Sequence, residues 1–175
     1  LNDPSIFYNQ DAERMIQTYR SLFMMLAESY TRNPATYPEV QNTLNEMERK
    51  IPRTVIPIDY RLKYQIAMML YRIGDEAGFK EWGTEALDGA NKDIQANPMM
   101  MSGRFNPYII SIDIYDAMGN YQAELEILKR VQAMNPQDPS VLQKIQEVET
   151  KMRGGSLPQD TTKQDGTDTD TTGQN

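Results

Sequence analysis

The constraint that most narrows the possible folds is a spacing. Apolar residues recur in steps of three and four along nearly the whole chain, and the runs are cut at intervals by Pro, Gly-Asp or Gly-Asn. From Asn9 the first run is Ala12, Met15, Ile16, Tyr19, Leu22, Phe23, Leu26, Ala27 and Tyr30. That period places one stripe on a long amphipathic helix. Asn33-Pro34 closes it, because a residue preceding proline is pushed out of helical geometry. Thr36, Pro38 and Glu39 read as a capping-box start for a second helix over Val40, Leu44, Met47 and Ile51.

The same reasoning gives five more helices. Pro57-Ile58-Asp59 opens one with Leu62, Ile66, Met69, Leu70 and Ile73 inward, and Gly74-Asp75 ends it and caps the next. The fourth carries Phe79, Trp82, Ala86, Ala90 and Ile94; its Gly78, Gly83 and Gly89 lower helix propensity by about 1 kcal/mol each, so they suit a place of close backbone approach. Asn106-Pro107 starts a fifth, Gly119-Asn120 separates it from a sixth over Tyr121, Leu125, Leu128 and Val131, and Asp138-Pro139 starts a seventh over Val141, Ile145, Val148 and Met152. No alternating strand pattern competes, so the expected class is all-α with seven helices. Residues 1–153 form one domain in this reading. Residues 154–175 are a polar tail that buries too little to offset the entropy of ordering.

Three helix pairs share a pattern. Leu26-Ala27 with Tyr30, Ile66-Ala67 with Leu70, and Ser111-Ile112 with Tyr115 occupy matching places, and Gly74-Asp75 and Gly119-Asn120 supply turns. A small residue followed by a larger one lets two helices approach and fills the space between them, as in tetratricopeptide-type (TPR) hairpins. Three departures stand out: Ile112 replaces the small residue in the third pair, Glu124 occupies the place of a consensus Ala with Ala123 one residue early, and the units are spaced by 40 and 45 residues rather than 34. The expectation is therefore TPR-like, with three hairpins and a capping seventh helix. The first helix of each hairpin would line a concave side, where Met24, Glu28, Arg61, Tyr64, Met68, Tyr71, Asp113 and Asp116 lie off the buried stripes. Tyr and Met suit an adaptable peptide groove.

Composition removes several chemistries. The chain has neither His nor Cys, which excludes thiolates, disulfides, the usual zinc ligands and the His-dependent nucleophile pairs. No cofactor and no metal are expected. A net charge of −7 argues against a grip on nucleic acid or anionic lipid and makes a basic partner easier to accommodate. Pairs such as Glu46 with Glu48 and Glu124 with Glu126 point in different directions on a helix and read as solvated face. Asp168, Asp170, Thr172 and Gly173 match part of a calcium loop but lack its closing Glu. Met99-Met100-Met101 reads as a loop folding back on the core.

The stretches "LNDPSIFYNQDAERMIQTYRSLFMMLAESY" and "IPRTVIPIDYRLKYQIAMMLYRIGD", with Tyr8, Tyr19-Arg20, Leu26-Ala27, Ile51-Pro52, Ile56-Pro57 and Gly74-Asp75, resemble the C-terminal region of a bacterial multi-pass membrane protein family of unknown function. The membrane part of that family looks like a protein O-mannosyltransferase. The resemblance covers about residues 1 to 96 well and implies a non-catalytic soluble domain at a bacterial cell membrane, with the extracytoplasmic side favoured, attached through a region outside this chain. The expected partner is a protein or peptide, self-association included. A glycan or lipid-linked sugar is the alternative ligand.

Overall fold

A computed structural model describes residues 10–100, 102–103 and 105–154. The tail after Gly154, with its partial calcium loop, and residues 1–9 lie outside the described residues. Among these residues the chain is all-helical: α1 Gln10–Tyr30, a 3-10 turn Pro34–Thr36, α2 Tyr37–Lys50, α3 Tyr60–Arg72, α4 Glu76–Ala96, α5 Pro107–Ala117, α6 Tyr121–Met134 and α7 Pro139–Met152. No strand occurs among the described residues.

The boundaries follow from local chemistry. Asp59 Oδ1 accepts from the Arg61 amide at 2.8 Å, Asp75 Oδ1 from Gly78 at 3.0 Å, Asn106 Oδ1 from Ile109 at 3.0 Å, Asn120 Oδ1 from Ala123 at 3.3 Å and Asp138 Oδ1 from Ser140 at 3.0 Å. Each satisfies an amide the first turn leaves without a partner. Gly74 and Gly119 sit at φ +80° and +67°, where a side chain would be strained, so α3 and α5 end there and the next helix starts at once. The capping box expected at Thr36 does not form. Its hydroxyl instead donates back to the carbonyls of Tyr30 and Asn33, 2.7 and 2.8 Å away, while Asn33 caps the 3-10 turn.

Consecutive helices pack as the pairs α1/α2, α3/α4 and α5/α6, with α7 against α6, α5 against α4 and, more lightly, against α3. One apolar cluster joins Ala27, Val40, Met47, Ile66, Ala67, Phe79, Ala86, Ala90, Ile110 and Ile114. A second joins Ile94, Tyr108, Leu125, Leu128, Val131 and Val148. Helix α5 lies between them: Ile110 and Ile114 face the first, and Ile112 and Tyr108 the second.

Four expectations need correction. In the third pair Ser111 is the enclosed small residue and Ile112 is half-buried; the pattern is Ile110-Ser111-Ile114, one residue earlier than expected, because Tyr108, Ile109, Ile110, Ile112, Ile114 and Tyr115 spread apolar surface over most of the circumference of α5 and its spacing alone does not select a register. On α1 the buried positions are Ile16, Arg20, Met24 and Ala27, while Met15, Tyr19, Leu22 and Leu26 face outward. Glu124 is fully buried on the inward face of α6 rather than solvated. Met99 is exposed rather than folded back, while Met100 is half-buried and Met101 lies outside the described residues.

Candidate functional site

The side formed by α1, α3 and α5 is hollow. The larger concavity, about 560 Å³, is lined by Met24, Met25, Glu28 and Ser29 of α1, by Tyr64, Gln65, Met68, Met69 and Arg72 of α3, and by Arg32 and Phe105 from the connections. A neighbouring one of about 350 Å³ shares Met68 and continues through Tyr71, Asp113, Asp116, Ala117, Tyr121 and Lys151. Seven of the eight residues expected from sequence therefore border this shared hollow. Arg61 does not: its guanidinium lies 3.2 Å from Asp59, 3.5 Å from Asp93 and over the Tyr60 ring. Met24 is mostly buried and forms floor rather than rim.

Spacing explains why α3 supplies so much of the wall. Tyr64, Met68 and Arg72 are four apart and stack one above another on a single helix face. The ring of Tyr64 stands edge-on to Phe105 at 6.0 Å, and its hydroxyl donates to Asp113 Oδ2 at 2.6 Å, tying α3 to α5 across the floor. Tyr71 is half-exposed and leans on Phe79, 5.1 Å between ring centres. Met25 and Met68, lying over the buried Met24 and Met69, provide a surface that adapts to different side-chain shapes at little cost.

Charge is divided along the hollow. Arg72 bridges Glu28 at 2.8 Å and contacts Thr31, and Arg32 has no ion pair among the described residues, so two arginines face one carboxylate at the α1 end. This local excess is opposite in sign to the net charge of the whole chain. At the other end Asp116 accepts from Lys144 at 3.0 Å and Lys151 at 2.6 Å. Burial works against its charge, but the two lysine hydrogen bonds outweigh it and hold Asp116 below the ordinary carboxylate value. Arg32, Arg72, Phe105 and Lys151 were not anticipated. Arg72 alone had a readable signal, standing four residues after Met68 and eight after Tyr64.

Behind Asp116, Glu124 is fully enclosed, neither of its oxygens has a hydrogen-bond partner, and Lys144 Nζ is 3.6 Å away. Burial, then the neighbouring charge of Asp116, raises its pKa. A carboxyl whose folded pKa exceeds its ordinary 4.5 contributes stability below that value and loses it as pH rises through the folded one. Asp116 acts in the opposite sense, and its contribution fades only as pH falls below 3.8. The two windows are separate. Glu124→Gln is therefore expected to stabilise the chain at pH 7 by about 1 kcal/mol, because the interior disfavours the charged form that a solvated Glu takes at that pH. The gain should vanish near pH 4, as followed by urea denaturation at each pH. An equal gain at both pH values would show that the charge of Glu124 is not the cause.

Among the described residues no group of three or more Asp and Glu side chains is placed to hold a metal ion. Comparison with protein-family models, with curated proteins and with solved structures finds no match for this chain.

Proposed function

We propose that this chain is a TPR-like, non-catalytic interaction module that holds a peptide segment of a partner protein in the hollow of α1, α3 and α5. The observation that carries the reading is the methionine-rich wall of Met24, Met25, Met68 and Met69, with aromatic groups beside it and uncompensated arginine charge at one end. An apolar side chain of the peptide fits among the methionines, and an acidic residue near it meets Arg32 and Arg72. Fixed Tyr and Phe rings add contact area at little entropic cost. The absence of His and Cys from the chain supports a binding role over nucleophilic or thiolate catalysis.

A second reading, a glycan-binding accessory to a membrane glycosyltransferase, draws on Tyr71, Tyr121, Asp113 and Asp116 in the smaller hollow. It is weaker, since Asp113 is engaged by Tyr64 and Asp116 by two lysines, leaving these carboxylates poorly disposed to accept from sugar hydroxyls. No described helix is long and apolar enough to cross a membrane. Attachment to a bacterial membrane through a further region belongs to the same proposal.

Selection of peptides from a random displayed library on the purified chain tests the reading. The expected result is enrichment of sequences pairing an apolar residue with a nearby Asp or Glu. Met68→Asp is expected to weaken a selected peptide at least about tenfold, equivalent to about 1.4 kcal/mol, and Arg72→Ala should weaken acidic peptides more than their amide counterparts. Peptides that bind Met68→Asp as tightly as the parent chain would place the binding surface elsewhere.

A further inference from the structure

We propose that α1 pairs antiparallel with α1 of a second copy of this chain, through a face that adjoins the hollow at Met25 and Ser29. The outward residues Met15, Tyr19, Leu22, Met25 and Leu26 are 62%, 53%, 56%, 69% and 46% exposed. With a large side chain presenting roughly 150–200 Å² when open, they leave on the order of 500 Å² of mostly apolar surface, at the upper end of what a monomer ordinarily shows. Two such faces closed on each other remove about 1,000 Å², the area at which a specific interface becomes tenable.

The pattern identifies the occupant as another α1. Met15, Tyr19, Leu22 and Leu26 are spaced four, three and four, the repeat that makes a straight seam a second helix can follow. Read from either end the spacing is identical, so a two-fold axis midway between Arg20 and Ser21 sets Met15 against the partner's Leu26 and Tyr19 against the partner's Leu22. A surface that meets itself in this way satisfies the condition for an isologous dimer. Charge agrees with it. From Met15 to Ala27 the sole ionisable side chain charged at neutral pH is Arg20, which is buried, so two copies that each carry −7 approach here without local repulsion. The hydroxyls bordering the seam are already satisfied: Thr18 donates to the Arg14 carbonyl at 3.1 Å, Ser21 to Gln17 at 2.9 Å and Ser29 to Leu26 at 2.7 Å. Drying them therefore costs little.

The two ends of the stack also differ. At the far end α7 has only Leu142 and Met152 as large exposed apolar residues, at 38% and 44%. An end helix of a repeat stack needs either a polar outer face or a neighbour, and α1 has the apolar one.

Sedimentation of the full chain over about 1 to 200 µM tests the pairing, with dimer expected to accumulate as concentration rises. Leu22→Glu puts like charges at the axis and should weaken association roughly a hundredfold while leaving helical circular dichroism intact, since the site is exposed. Because the chain has no cysteine, a mixture of the Met15→Cys and Leu26→Cys variants should oxidise to a mixed dimer, whereas Met15→Cys alone should not link to itself. A chain that stays monomeric over the whole range overturns the proposal, as does a dimer indifferent to Leu22→Glu. A chain that dimerises only after removal of residues 1–9 also overturns it, assigning the seam to that segment.

Discussion

Replacing Arg20 by Met should cost this fold about 3–5 kcal/mol, the range for stripping a buried charged group's hydrogen bonds from their partners. Arg20 is completely enclosed. Its Nη1 donates to the Pro57 carbonyl at 3.1 Å, and Nη2 to those of Ile51 at 3.2 Å and Ile56 at 2.5 Å. The connection it grips, Ile51 to Asp59, contains Pro52 and Pro57 and is irregular, so these carbonyls have no helical donor. One guanidinium supplies it from another helix and fixes the position of α3 relative to α1. Burial lowers the Arg20 pKa and the charge of Glu48 partly restores it; a guanidinium stays ionised at neutral pH.

Methionine matches the stem of arginine but donates nothing, leaving three interior carbonyls unpaired. The thermal midpoint should fall on the order of 10 °C. Arg20→Lys should fall between, because an ammonium on a single stem does not span three acceptors as the guanidinium fork does. The exposed Arg49→Met should change stability by no more than about 0.5 kcal/mol, its pairing with Glu46 being solvated. An Arg20→Met chain as stable as the parent would mean that water or backbone rearrangement replaces the clamp.

Arg20 also marks the limit of what the sequence discloses. Seven helices and nearly all their ends are readable, since three-and-four spacing and Asp or Asn before a first turn act locally. Which face of a helix is covered is not local. On α1 apolar residues run around more than half the circumference, so Met15 and Tyr19 look as buried as Ile16 and Ala27, and a charge at position 20 looks solvated. Glu124 misleads for the same reason, sitting among Leu125, Ile127 and Leu128 with no sign that Lys144 of α7 comes to meet it. The hollow was legible where one helix repeats a face, as at Tyr64, Met68 and Tyr71. It was illegible where Phe105 and Lys151 arrive from elements distant in sequence.

Gly89 carries the other large effect, and here sequence and structure reach the same residue by different routes. Three glycines in α4 weaken it, and only a close neighbour justifies that cost. A methyl on Gly89 would overlap the Cβ of Tyr60 and lie 2.9 Å from its Cγ and 3.1 Å from its Cδ1. Those atoms stand next to the α3 backbone, and the ring above them lies under the Arg61 guanidinium at 4.4 Å, so they have little freedom to yield. Gly89→Ala should therefore destabilise by about 2–3 kcal/mol, overpacking outweighing the gain of about 1 kcal/mol in helix propensity. Gly83 is the contrast. A methyl there would meet the terminal Cε of Met118 at 3.2 Å and Ile114 Cγ2 at 3.4 Å, and a methionine end swings aside. Gly83→Ala should lie within about 0.5 kcal/mol of neutral, its propensity gain offset by a slight squeeze. Denaturation of the two variants side by side checks the pairing of α3 with α4: equal midpoints for both would show that Tyr60 and Gly89 are not in contact in solution, and that the second hairpin closes by some other approach.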